Sequence, residues 1–409
     1  MPCRCGHVRT SRKTKRNHML SLFLVLVSGT AGFGQAATPL PNYGMLRDAA
    51  ELISKGDLAR AETEIQIVLR QAPNDARALN MLGIVRAQQR RNPEAESLFK
   101  QAIQQEPGFT SARVDLGLLY VQAGQAEQAI PQLTEALRQD PGRTDASNAL
   151  SGIYREQARA AVQARDSEKA LALLIQARKI SPKDPNTLFD FGMVTLRMSL
   201  FPDAIKAFQE VLEIRKDDSS AIYGLGRALM GEARFEDACS QFQRYVQLRP
   251  NDASGHYALG LTLVSLQQND EARREFDESL RLAPMQTESY FQLGLLDLAA
   301  NRLEEAEARF HHVLERDPNH AGALAGLGQV EFLKKDYPRA VEWLKGAVTK
   351  DPGLRQAHYY LGLSYARMGR KQEADTELQA ATRLDQEEVK RHQRNLQLEP
   401  EPNAGSPRR

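Results

Sequence analysis

Residues 256–284 read HYALGLTLVSLQQNDEARREFDESLRLAP: a Leu259-Gly260 pair, an alanine twelve places later at Ala272, then Phe276 and a closing Pro284. Tyr257, Leu259, Leu263 and Leu266 fall at the spacing of one helical face, and Ala272, Phe276, Leu280 and Leu282 at that of a second. Asn269-Asp270 between them reads as the turn, so the stretch predicts two helices folded into a hairpin.

The same offsets recur along nearly the whole chain. Pro73, Pro107 and Pro141 are 34 residues apart, and Pro182, Pro250, Pro284, Pro318 and Pro352 fall on a second 34-residue lattice displaced from the first by seven. An apolar residue followed by glycine repeats at Gly83, Gly117, Gly192, Gly226, Gly260, Gly294, Gly328 and Gly362, with a small residue in the two units that lack one, an alanine in the first and Ser151 in the fourth. Alanine occupies its place in all ten units, among them Ala61, Ala95, Ala170, Ala272 and Ala374, and a large apolar residue follows four places later. Gly56-Asp57, Gly124-Gln125 and Gly369-Arg370 mark further turns. Glycine and alanine remove bulk where two helix axes approach, so Ala272 is expected to sit against Gly260 while larger neighbours interlock. Proline stops the second helix because it has no backbone donor. One such pair cannot bury its apolar face alone, so a fixed period predicts a stack.

With these residues at these places, the sequence resembles the tetratricopeptide repeat family, whose 34-residue helix-turn-helix carries Leu-Gly, Ala, an aromatic, Ala and Pro at set positions. Ten units begin near Asn42, Ala76, Thr110, Thr144, Pro185, Ser219, Ala253, Thr287, Ala321 and Arg355 and span residues 42–388. The resemblance implies an all-α fold, a right-handed superhelical solenoid of antiparallel helix pairs. Lys216 and Gln386 replace the terminal proline in two units and should loosen the turns there. The seven-residue offset falls between Leu150 and Ala170, in a segment without proline, and seven residues are close to two helical turns. The fourth repeat is therefore expected to have a first helix two turns longer, ending near Arg165. Residues 389–409 read as a capping helix remnant followed by a Pro-rich, charged, disordered tail.

Charged residues at 26% and apolar residues at 42% suit a helical protein exposed to water. The net charge of +2 is weighted by the front end, where residues 1–36 hold six basic residues and no acid; without them 48 basic face 52 acidic residues, or −4. No cluster of Lys and Arg marks the repeats, so nucleic acid is not an expected partner. The apolar run from Met19 to about Val27, behind that basic head and before the small residues up to Ala36, has the layout of a secretory signal peptide. Residues 1–36 are expected to be cleaved and 37–41 to form a short linker, giving an exported protein, periplasmic or extracellular, with no stable membrane span after cleavage; an uncleaved N-terminal anchor is the minority alternative. Cys3 and Cys5 lie in the removed part, leaving Cys239 alone as a packed thiol with no disulfide partner.

Motifs for chemistry are missing: no His-Glu-x-x-His, no Gly-x-Ser-x-Gly, no P-loop and no Cys-x-x-Cys-His. Gly224-Leu225-Gly226 and Gly326-Leu327-Gly328 lie where the repeat demands Leu-Gly, inside a helix, and are not dinucleotide loops. His311, His312 and His320 read as exposed histidines near a turn, since adjacent helical residues diverge by about 100°. No catalytic residues, no metal and no cofactor are expected, and the chain reads as a non-enzymatic protein.

What remains is a surface. The resemblance implies that the inner wall is lined by the first helix of each pair, including its fifth place, which here holds Leu46, Asn80, Val114, Asn148, Phe189, Tyr223, Tyr257, Phe291, Ala325 and Tyr359. Phe189, Tyr223, Tyr257 and Phe291 follow one another and are expected on one continuous wall, joined by Arg227 one turn after Tyr223, with Tyr359 further on. Family members that grip a C-terminal carboxylate use asparagine at the sixth place, and this chain has none there. The expected function is an exported interaction scaffold whose concave groove holds an extended protein segment or organises a cell-envelope assembly. A glycan-binding periplasmic subunit of polysaccharide secretion is the alternative, since aromatic rings also stack on sugars, and an enzyme with an unrecognised site is the weaker one.

Overall fold

The computed structural model describes residues 43–398, all of whose regular elements are α-helices. The expected signal peptide, the linker and residues 399–409 of the tail lie outside the described residues. Two compact units divide at Asp190 and Phe191. The first contains α1 (Tyr43–Ser54), α2 (Leu58–Gln71), α3 (Ala76–Gln88), α4 (Asn92–Gln105), α5 (Thr110–Gln122), α6 (Ala126–Gln139), α7 (Thr144–Gln163) and α8 (Ser167–Ile180). The boundary falls inside α9 (Pro185–Arg197). The second continues with α10 (Phe201–Ile214), α11 (Ser219–Gly231), α12 (Phe235–Leu248), α13 (Ala253–Ser265), α14 (Asn269–Leu282), α15 (Thr287–Ala299), α16 (Leu303–Arg316), α17 (Ala321–Leu333), α18 (Tyr337–Lys350), α19 (Arg355–Arg367) and α20 (Lys371–Leu398). From α1 to α8 and from α10 to α20 each helix packs on the next in the chain, as a stack of hairpins requires. No described helix is long and apolar enough to cross a membrane.

The turn inside every hairpin has one design. The fifteenth place of the repeat, moved seven residues on in the fourth repeat, is left-handed each time: glycine at Gly56, Gly124 and Gly369, but Arg90, Arg165, Ser199, Ala233, Gln267, Asn301 and Lys335 elsewhere, with φ between 56° and 67°. The next residue donates its N–H back to the carbonyl five residues earlier, as Asp57 does to Leu52 and Gln268 to Leu263, satisfying helix-end carbonyls. The turn expected at Asn269-Asp270 is displaced: Gln267 makes it, and Asn269-Asp270 open α14. Two acidic or amide side chains after a turn favour a helix start, which is why they mimicked the turn itself.

The recurring offset between the glycine and the large apolar residue is explained by one contact. A Cβ placed on Gly260 would lie 2.6 Å from Cε1 of Phe276, and one on Gly226 would lie 2.8 Å from that of Phe242. The glycine thus makes room for the ring at the twenty-fourth place of its own repeat, and at the equivalent Gly362 an added Cβ would also lie 3.2 Å from the carbonyl oxygen of Ala374. Ala272 is itself wholly buried. Gly224 adds a second clearance, 2.6 Å from Cζ of Phe208 in the preceding repeat, so Gly224-Leu225-Gly226 is a helix face pressed between two phenylalanines. Phe99, Phe208, Phe242, Phe276 and Phe310 are all fully buried, each contributing roughly 2–3 kcal/mol of apolar transfer.

Three departures from the regular unit stand out. Helix α7 has 20 residues where α3 and α5 have 13, and it closes on the usual turn at Arg165, so the inserted residues extend the helix. Helix α20 does not stop at Gln386 but runs 28 residues to Leu398; the polar stretch expected as a separate cap is its continuation, since no proline or glycine interrupts it. At Lys216, by contrast, α10 still ends, and the Arg244 guanidinium donates to the Lys216 carbonyl and to Asp217 (3.0 Å).

Candidate functional site

In the second unit Tyr223, Tyr257 and Phe291 occupy the fifth place of α11, α13 and α15, and each is half-buried. Each ring leans on the buried phenylalanine of its own repeat: Tyr223 on Phe242 (5.5 Å, edge-on), Tyr257 on Phe276 (5.8 Å) and Phe291 on Phe310 (6.0 Å). Each ring is therefore propped by its own repeat and remains partly exposed. Burial pushes the Tyr223 hydroxyl above its ordinary pKa, and nearby Arg227 opposes the rise. Burial also raises Tyr257, with Glu288 adding to it and Gln292 opposing it by a hydrogen bond; the Tyr223 hydroxyl is close enough to be felt as well. Arg227 is exposed and makes no ion pair among the described residues. The structure thus brings together Tyr223, Arg227 and Tyr257, with Phe291 in the following repeat.

The other members of the expected row have different surroundings. Phe189 is half-buried and belongs to the first unit. Ala325, 7% exposed, interrupts the rings after Phe291. Tyr359, 43% exposed, instead packs edge-on against its neighbour Tyr360 (5.4 Å), which in turn meets Phe332 (5.5 Å).

One supporting residue escaped the sequence reading. Tyr245 on α12 lies 5.0 Å from Tyr223 and donates its hydroxyl to Asp252 (2.6 Å), so burial and that bond push it up to about 12. A Cβ on Gly255 would lie 2.6 Å from Tyr245, so the glycine ten residues on admits the ring. A large residue at the twenty-seventh place matched by a glycine at the third place of the next repeat was the available signal. Ser279 and Ser289 use the same two places for a hydrogen bond of 3.1 Å.

Polar contacts between repeats follow a second rule the sequence reading did not extract. The eleventh place of one repeat meets the twenty-first of the previous one: Arg86 donates to Glu62 (2.6 and 2.7 Å), Tyr120 to Glu96 (2.9 Å) and Arg273 to Asp297 (2.7 Å). Asp297, 1% exposed, also accepts from Arg302 and Arg309 at 2.9 Å each. Burial pushes its carboxyl up, but the hydrogen bonds of Arg302 and Arg273 outweigh this and hold it below the usual range.

The histidines expected as exposed are partly engaged. His320 caps α17, its Nδ1 accepting from the Ala323 N–H (3.0 Å), and its ring lies 4.8 Å from Phe291; His312 rests 3.9 Å from Tyr290. Only His311 is exposed. Among the described residues no group of three or more His, Cys, Asp or Glu is placed to hold a metal. Cys239 is buried, and burial raises its thiol, with Glu275 adding to the effect.

A crystal structure of YrrB, described as a TPR protein with an unusual peptide-binding site, is 24% identical over 45% of this chain and 95% of its own, with a TM-score of 0.38. MamA from Desulfovibrio magneticus RS-1 is 22% identical over 42% of this chain and 96% of its own, with a TM-score of 0.40. The Cut9–Hcn1 assembly of the APC/C is 13% identical, covering 84% of this chain and 81% of that one, with a TM-score of 0.47. No curated protein matches. Family models described as tetratricopeptide repeat match residues 48–108, 189–253, 223–286, 257–308 and 291–354, a second such model 86–153 and 120–188, and a third 356–384. Because the first of these models alone matches more than half of the chain, and the helices pair as it requires, the chain belongs to the tetratricopeptide repeat family.

Proposed function

We propose that the chain is an exported interaction scaffold and that the wall formed by Tyr223, Arg227, Tyr257 and Phe291 holds an extended protein segment bearing an acidic side chain among aromatic or apolar ones. The observation that carries this reading is the exposed, unpaired guanidinium of Arg227 beside two half-buried tyrosines. Aromatic rings fixed by their own repeat offer contact area at little entropic cost. An arginine among them adds a directed, charge-assisted bond to a carboxylate. A neutral glycan would use the rings and leave the guanidinium without a counter-charge. Export rests on the layout of residues 1–36.

The test is a set of extended peptides of about twelve residues, acidic-aromatic or with lysine in place of the acids, together with a glycan array. The wild type is compared with Tyr223→Ala/Tyr257→Ala after circular dichroism has shown the helices intact. Loss of about thirtyfold in affinity for the acidic set, equivalent to about 2 kcal/mol, is expected for contacts of this kind. Affinity unchanged within about twofold makes the rings packing only, and binding confined to glycans replaces the protein reading with the alternative. N-terminal sequencing of the protein from its native host is expected to begin near Ala37 or Thr38.

A further inference from the structure

Asn80 and Asp115 form a buried pair across two repeats, 4% and 3% exposed. The Asn80 Nδ2 donates to Asp115 Oδ2 at 2.8 Å, while the two remaining oxygens, Asn80 Oδ1 and Asp115 Oδ1, are buried without a hydrogen-bond partner among the described residues. An ionised carboxylate here would be left with one neutral donor, a costly arrangement away from water, and the amide oxygen would stay unsatisfied beside it. A single proton on Asp115 Oδ1 changes both at once, because the new O–H is the missing donor and Asn80 Oδ1 is its acceptor.

We propose that Asp115 is protonated in the folded chain, that this proton closes a two-bond amide–acid ring with Asn80, and that the contact between α3 and α5 is thereby sensitive to pH. The charged groups that act on Asp115 both come from the start of α7. Arg143 favours the ionised form and Asp145 opposes it, yet the Arg143 guanidinium is already bonded to Asp145 (3.0 and 2.8 Å) and to Ser111 (3.2 Å). Helices α4 and α6 supply apolar side chains, Phe99 and Leu133, to the cluster containing Val114 and Leu116 on either side of Asp115. Burial is accordingly the largest influence and pushes the Asp115 carboxyl from 3.8 up to about 7, with the Asn80 bond and Arg143 resisting.

Because the folded value lies above the unfolded one, the folded chain binds this proton more tightly. Stability of the junction falls as pH rises from about 4 and is fully lowered above about 7. Repeat arrays sum local and nearest-neighbour terms, so the weakening is felt at this junction first. Asn80 stands at the fifth place and Asp115 at the sixth, on the helices that the family uses for its inner wall.

The experiment follows the side-chain carboxyl carbons of the full chain, labelled at aspartate, by NMR from pH 4 to pH 9, with Asp115→Asn identifying the resonance. In parallel, amide exchange in α3 and α5 is measured on both proteins. Asparagine at this site keeps the neutral ring, with amide bonding amide. A midpoint near 7 is expected. So is an opening of α3 and α5 that increases by at least about tenfold between pH 5 and pH 8 in the wild type but not in Asp115→Asn. A midpoint in the ordinary carboxylate range overturns the proposal. So does a pH dependence that persists unchanged in Asp115→Asn. If that variant fails to fold, the wild-type resonance that moves over this range is assigned through Asp115→Glu, and its midpoint decides.

Discussion

In the first three repeats the fifth place of the leading helix holds Leu46, Asn80 and Val114, all buried, whereas in three consecutive repeats of the second unit it holds Tyr223, Tyr257 and Phe291, all half-buried. The framework around this place does not differ. Both units put glycine under a large apolar side chain, Gly83 under Phe99 in the first and Gly260 under Phe276 in the second, and both close each hairpin on a left-handed residue. A repeat array can therefore leave its packing places alone and vary one place: filled by the apolar side chains of Leu46, Val114 or Ala325 it joins the core, and filled by the larger rings of Tyr223, Tyr257 or Phe291 it leaves each ring partly exposed.

That comparison fails if the framework is not shared. Ala95 in the first unit and Ala272 in the second are both wholly buried at the same place, so Ala95→Arg and Ala272→Arg should each cost about 4 kcal/mol, through overpacking and a buried charge. Amide exchange resolved by unit checks it; one unit tolerating the change while the other opens would break the equivalence.

The fourth repeat sharpens it at smaller scale. Gly260→Ala brings a Cβ to 2.6 Å from the buried Phe276 ring and should cost about 1–3 kcal/mol. Gly152 in α7 has nothing within 4 Å of an added Cβ, and Gly152→Ala should stabilise by up to about 1 kcal/mol through backbone entropy and helix propensity. Urea midpoints of the two variants moving in the same direction would show that glycine in these helices is not about the facing ring.

The smallest effect lies in the turns. Arg90 (φ 63°) in the first unit and Ala233 (φ 56°) in the second are left-handed without being glycine. Arg90→Gly and Ala233→Gly should each gain roughly 0.5–1 kcal/mol, and Gly56→Ala (φ 79°) should lose a similar amount. Thermal unfolding reads all three, and a loss on introducing glycine would mean that those side chains hold contacts worth more than the strain.

The sequence alone determined the helix pairing, the period and the family, because a 34-residue recurrence of Leu-Gly, alanine and an aromatic survives any uncertainty about single residues. It also located the extra helical turns of α7, since seven residues without proline or glycine near their end can only lengthen a helix in phase. Periodicity says which residues face inward, but not which of them touch. That an added Cβ on Gly260 would meet the Phe276 ring, that Tyr245 props Tyr223 because Gly255 admits it, and that Asn80 meets Asp115 were decided only by the tertiary structure. Each depends on how far one helix is turned and shifted against its neighbour, a geometry set by the fit of whole side chains. No residue carries it by its identity alone.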